Sequence, residues 1–162
     1  MKSTEVGVVP FTCRFSSLTI FAKDSDRTAP DTLLKESQPF SLQASVEFVG
    51  SGAIALLCLT PSIQVDFYAK SCGRGGTVDL GTAATSSVVN QAIYTPTLEL
   101  ESPAAVGLEA RSLYQISALL RIGAPDCPAL ICGVIEDLMV EIYDASKLAK
   151  KSTKSKSSLS NH

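Results

Sequence analysis

Apolar and polar residues alternate with a period of two through several stretches of this 162-residue chain, and that pattern restricts those stretches to strands. Phe40, Leu42, Ala44, Val46 and Phe48 share one parity; Ser41, Gln43, Ser45 and Glu47 share the other. Ile63, Val65, Phe67 and Ala69 alternate in the same way with Gln64, Asp66, Tyr68 and Lys70. Leu98 and Leu100 are interleaved with Glu99 and Glu101, and Leu138, Val140 and Ile142 with Met139, Glu141 and Tyr143. A strand sends successive side chains to opposite faces, so each stretch reads as a half-buried antiparallel strand. The spacing of three and four that an amphipathic helix needs is missing from them.

Departures from strict alternation carry information too. Phe11, Cys13 and Phe15 share one parity, while Leu18, Ile20 and Ala22 share the other. One extra residue in a strand has that effect, so a β-bulge is expected at Ser16-Ser17. Residues 53–59 and 116–122 are more uniformly apolar and read as central strands. Pro61 would end the first of these and set a hairpin around Thr60-Pro61-Ser62. A turn is expected at residues 49–52, a glycine-rich loop at 71–76, and longer loops at 82–91, 102–109 and 123–128. Within the irregular stretch 23–39, residues 31–36 suit one helical turn.

The pattern predicts an all-β chain of about eight strands with no βαβ units. The expected fold is a single antiparallel β-sandwich with Greek-key connections, immunoglobulin-like or C2-like in shape. There is no tryptophan, so the Cys-Trp-Cys core of true immunoglobulin domains is missing and the likeness is one of shape. The alternative is a partly closed β-barrel. Residues 1–145 form the domain in this reading, and residues 146–162 a basic, Lys/Ser-rich flexible tail.

Charge divides at the same point. Residues 1–145 hold nine basic and sixteen acidic side chains. The tail has five lysines (Lys147, Lys150, Lys151, Lys154 and Lys156) and no acid. An acidic body disfavours specific nucleic-acid binding. The tail is expected to be a solvated terminus, with contact to an anionic surface as its functional alternative. No apolar run reaches the ~18 residues of a membrane-spanning helix. The N-terminus lacks the apolar stretch of a signal peptide, and five cysteines are an odd number, so a cytoplasmic location with reduced thiols is expected. In an exported protein, Cys58 and Cys72 would be the first pair to test for a bridge.

The reactive inventory is thin. The one histidine is His162, so imidazole-based nucleophile systems and His-rich zinc sites have no support. Cys127-x4-Cys132 lacks the partners of a zinc knuckle. Arg74 in the glycine-rich loop is not followed by the Lys-Ser/Thr ending of a phosphate loop. Asp24, Asp26 and Asp31 form an acidic loop that would suit calcium only if a second acidic loop (Asp126, Glu136-Asp137 or Asp144) faced it. Glu136 and Asp137 are adjacent and point apart on a strand, so a bulge or bend is the simpler account of them. No cofactor is expected, and no enzyme activity.

Strand faces that should meet water instead carry Tyr68, Leu113, Leu119, Met139 and Tyr143. Charged residues make up 19% of the chain against about 25% in typical domains. The expectation is a non-catalytic interaction or assembly module, self-associating or bound to a protein partner through those five residues. The alternative is a C2-like module that binds calcium, lipid or carbohydrate through its end loops.

Overall fold

Alternation becomes pleat over most of its length. The computed structural model describes residues 10–23, 32–124 and 127–144. Among them lie β1 (Thr12–Ala22), β2 (Leu33–Lys35), β3 (Phe40–Val49), α1 (Ser51–Cys58), β4 (Ser62–Ser71), β5 (Thr77–Ser86), β6 (Ile93–Tyr94), β7 (Thr97–Leu100), β8 (Ser112–Ala124) and β9 (Cys127–Tyr143). Two sheets stack as a β-sandwich. In the first, β3 is flanked by β1 on one side and by β6 and β7 on the other. The second runs β2-β9-β8-β4-β5. One sheet curls into a half-barrel.

The core is the inward parity of each strand. Phe40, Leu42 and Val46 of β3 meet Ile63, Val65 and Phe67 of β4 and Ile116, Leu120 and Ile122 of β8, all fully buried. Each such side chain contributes about 1.5–3 kcal/mol by leaving water. β8 occupies the middle of its sheet, as its apolar segment 116–122 implies.

The register shifts in four places, once beside the β8–β9 turn, where residues 128–130 stand opposite Gly123, and three times within strands. In β1 the register slips between Ser16 and Thr19, and Ser17 adopts φ 58°. In β5 the slip lies opposite Phe67 and Tyr68, and Gly81 takes φ 127° there while its N–H donates to Asp79 Oδ1 at 3.0 Å. In β9 the pair Glu136-Asp137 stands opposite Ser117 alone, which places both carboxylates at the surface.

Three expectations need correction. Residues 53–59 are helical, not a strand, and the hairpin at 60–62 is a helix-to-strand corner. Alanine and leucine dominate this segment, Ile54 is its one β-branched residue, and intrinsic preference favours helix. Gly50, at φ 107°, ends β3 and packs so closely on Pro10 that a Cβ there would lie 3.0 Å from its carbonyl oxygen. Helix α1 then carries the chain from one sheet to the other and buries only Gly52, Ala53 and Leu57.

The helical turn expected at 31–36 is β2, which pairs in parallel with β9, so the sandwich is antiparallel except at this edge. Leu34 drops into the core, and backbone bonds from Glu141 N to Thr32 O (2.9 Å) and from Glu36 N to Tyr143 O (3.0 Å) hold the segment extended. Finally, the loop expected from residue 82 begins after Ser86. Strand β5 continues because its backbone pairs with β4. The boundary between domain and tail at 145/146 falls outside the described residues. Among the described residues no helix is long and apolar enough to cross a membrane.

Candidate functional site

The outward parity of the five-stranded sheet brings together most of the residues singled out above. The ladder sets Lys70, Gln115 and Met139 in one row, then Tyr68 and Ser117 beside the Glu136-Asp137 bulge. Asp66, Leu119 and Val134 form the next row, followed by Gln64, Arg121 and Cys132. Leu113 pairs with Glu141 and is diagonal to Met139. These two are exposed, while Tyr68, Leu119 and Tyr143 are half-buried.

The five residues Tyr68, Leu113, Leu119, Met139 and Tyr143 therefore share one face without forming one patch. Leu113 and Met139 gather near one end, and Leu119 lies toward the other. Ser117, Gln115 and the two bulge carboxylates separate them. Tyr143 sits beside Lys35 at the β2 margin. Two larger apolar contributors were not singled out from sequence: Leu130 and Val134, which are 60% and 59% exposed. The signal for them was the uncharged run ALICGVI at 129–135, apolar on both parities.

A polar cluster lies in the middle of the face. Asp66 Oδ2 accepts from Arg121 Nη2 at 2.6 Å, and Asp66 Oδ1 accepts from Thr82 Oγ1 at 2.6 Å and Gln64 Nε2 at 3.2 Å. Asp66 is buried, although it points outward. Burial alone would raise its pKa. The hydrogen bonds from Thr82, Gln64 and Arg121, with the guanidinium charge, outweigh that and hold the carboxyl below the usual carboxylate range. With its acceptors taken, Asp66 is a fixed anion that ties β4, β5 and β8 together, not a free base.

Asp24, Asp26 and Asp31, and Lys147, Lys150, Lys151, Lys154 and Lys156, lie outside the described residues. Among the described residues no three His, Cys, Asp or Glu side chains gather as a metal site. The glycine-rich loop closes the β4–β5 hairpin and borders a shallow groove of about 410 Å³, where Arg74 and Arg111 are offset by Glu109. Cys58 and Cys72 flank opposite ends of β4, about 30 Å apart at strand rise, so they do not form a bridge.

The fold and this face define a β-sandwich whose chemistry-bearing groups are engaged with one another while several apolar side chains are not. No family model matches the chain, and no curated protein matches it in sequence. Solved structures resemble it in shape. A β-glucosidase from Listeria innocua in complex with glucose aligns at 13% identity and TM-score 0.43, over 83% of this chain and 16% of its own. The CARDB domain of a Pyrococcus furiosus protein, in complex with di-metal ions, aligns at 12% identity and TM-score 0.43, over 85% and 94%. The major subunit of aggregative adherence fimbriae type I from Escherichia coli aligns at 7% identity and TM-score 0.40, over 81% and 95%. The chain spans only 16% of the glucosidase's length. At these levels of similarity none of them lends this chain an activity, ligand or partner.

Proposed function

We propose that this chain is a non-catalytic contact module that self-associates through the outer face of its five-stranded sheet. The observation that carries this reading is the exposure of Leu113, Met139, Leu130 and Val134 on one face of one sheet. Exposed apolar side chains are stabilised by association, because a partner removes them from water. Tyr68, Leu119 and Tyr143 add half-buried area on the same face, Glu136 and Asp137 stand between the apolar groups, and Glu141 stands beside Leu113. The free thiols of Cys58, Cys72 and Cys132 stand exposed, which supports a reducing compartment such as the cytoplasm.

Light scattering after size exclusion, run over a concentration series, tests the reading. The wild-type chain should rise in mass with concentration. Leu113→Glu/Met139→Glu should weaken association about tenfold or more, each carboxylate costing more than ~1 kcal/mol of desolvation. A chain that stays monomeric at every concentration and retains no protein partner refutes it.

A further inference from the structure

We propose that two copies of this chain join edge to edge, residues 129–135 of β9 pairing antiparallel about Cys132 with the same residues of the second copy. The inference rests on the contact reading above but places the contact at the β9 margin of that face, where Leu130 and Val134 stand, and leaves Leu113 and Met139 outside it.

Every sheet edge offers unpaired N–H and C=O groups, and proteins blunt such edges with charge, bulges or brevity. The other edges here are blunted. β1 carries Arg14 and the Ser16-Ser17 bulge; β5 carries Asp79 and the Gly81 bulge; β2, β6 and β7 have at most four residues. β9 differs. Its 17 residues pair with β8 on one side, and β2 covers only Glu141, Ile142 and Tyr143 on the other. Among the described residues no strand pairs with the rest of that outer edge. Residues 129–135 hold no charge and no proline; one bulge follows them, at Glu136-Asp137, and a register shift between Cys127 and Ile131 lies at their start, so the regular ladder with β8 runs from Ile131 to Ile135. Beneath the edge, Phe15 of β1 lies so near Gly133 that a Cβ there would sit 3.4 Å from Phe15 Cδ1. The inner side is thus packed, and among the described residues nothing pairs with the lateral side.

The sequence of the edge selects both occupant and register. An antiparallel pair related by a two-fold axis opposes each residue to its mirror position about one centre. Centred on Cys132, Leu130 of one copy meets Val134 of the other, twice, and Ile131 meets Gly133. Both exposed apolar side chains are then covered by each other as cross-strand pairs. Pro128, which has no N–H, falls opposite Glu136 at the margin. A centre at Ile131 would bring Pro128 against Val134, and a centre at Gly133 would set Glu136 against Leu130. Only the middle register keeps both outside the apolar segment. The axis stands perpendicular to the sheet, so the dimer is one continuous sheet with both outer faces on the same side. A seven-residue pairing buries less than the ~1,200 Å² of a stable interface, so the dimer is expected to exchange with monomer.

Directly opposed strand residues have Cα atoms about 4.5–5.5 Å apart, within disulfide reach. Mild oxidation of the full chain should therefore produce a covalent dimer of twice 17.1 kDa, lost in Cys132→Ser and retained in Cys58→Ser and Cys72→Ser. Charge substitutions test the register. Leu130→Lys/Val134→Lys places like charges across both pairs and should leave a monomer by light scattering. Leu130→Glu/Val134→Lys places opposite charges across both pairs and should restore the dimer. All five positions are surface positions or thiol-to-hydroxyl changes, and thermal melts of each variant verify folding. A cross-link that survives Cys132→Ser, a lysine pair that still dimerises, or a Glu/Lys pair that does not, overturns the inference. Loss of assembly in Leu113→Glu/Met139→Glu but not in Leu130→Lys/Val134→Lys also overturns it, and leaves the contact reading standing.

Discussion

The two sheets present different outer faces to water. On the four-stranded sheet the outward residues of β1, β3 and β7 are mostly polar, among them Arg14, Ser16, Thr19, Gln43, Ser45, Glu47, Thr97 and Glu99; Phe21 and Val49 are half-buried there, and Ile93 of β6 is the large apolar side chain exposed among them. On the five-stranded sheet Leu113, Leu130, Val134 and Met139 are exposed, and the strongest polar group, Asp66, is buried. Both inner faces obey the same alternation and fill the same core. Inward parity decides that the chain is a sandwich; outward composition decides which sheet meets a partner. The contrast extends to ion pairs. Arg121 and Asp66 meet at 2.6 Å with Asp66 only 7% exposed, whereas Arg14 and Glu47 stand 3.8 Å apart with Arg14 63% exposed.

The largest effect should come from the buried pair. Asp66→Ala removes the acceptor for Arg121, Thr82 and Gln64 at once and should cost about 2–3 kcal/mol in denaturant unfolding. A loss below ~0.5 kcal/mol would mean that solvent already satisfies the cluster and that the two faces are equally wet. The same residue gives a pH signature. Its folded pKa lies below its unfolded value, so the stability it supplies is complete above the unfolded value, near ~4, and is lost as pH falls through the folded one. Asp66→Asn should flatten that acid limb of the stability curve. An unchanged limb would assign the acid sensitivity to other carboxylates.

Next in size is the bulge that turns β5. Gly81 holds φ 127°, a conformation that a side chain adopts only with strain, and a Cβ there would lie 3.3 Å from Leu98 Cδ2. Gly81→Ala should therefore cost about 1–2 kcal/mol by thermal or denaturant melts. Equal stability would show that β5 can pass its bulge elsewhere, and that this edge is less firmly set than the edge at β1.

Legibility in the sequence followed local periodicity. The inward residues of β3, β4 and β8 were readable because burial on one face leaves period-two alternation. The bulges at Ser16-Ser17 and Glu136-Asp137 were readable because each disturbs that parity. Helix α1 was misread because eight residues with little polar contrast have no visible period; only the alanine and leucine content could have arbitrated. The far end of β5 was missed because Ala83 is the one buried residue after Gly81. Strand β2 left no signal at all. Three residues paired in parallel with a strand more than a hundred positions away are placed by tertiary contact alone. At the contact face, Tyr68, Leu113, Leu119, Met139 and Tyr143 were found by parity. The Asp66 cluster was not, because its partners Thr82 and Arg121 come from strands joined only by the fold.

Each sheet also contains one tyrosine that ties a loop to the core, and the pair allows a finer comparison. Tyr94 Oη accepts from Val88 N at 2.8 Å and donates to Val88 O at 3.1 Å, with its ring edge-on to Phe48. Tyr114 Oη accepts from Glu109 N at 2.9 Å. Both rings are buried. Tyr94→Phe strands a donor and an acceptor, and Tyr114→Phe strands a donor alone, so losses of about 1.5 and about 1 kcal/mol are expected in that order. A reversed order would place the tighter loop on the five-stranded sheet.

The smallest effect is expected at Arg14 and Glu47, and it bears most directly on the contrast between the faces. The two lie directly opposite across β1 and β3, a position where opposite charges help, yet both are well exposed and their atoms are 3.8 Å apart. Water and salt screen such a pair, so a double-mutant cycle with Arg14→Ala and Glu47→Ala should give about 0.2–0.5 kcal/mol, fading as salt is raised. Repeating the cycle on Asp66 and Arg121 should give a larger coupling with little salt dependence, since one partner is shielded. Two cycles of equal size and equal salt response would mean that the outer faces differ in their apolar residues and not in their electrostatics. Association would then rest on Leu113, Leu130, Val134 and Met139 without help from a rigid polar centre between them.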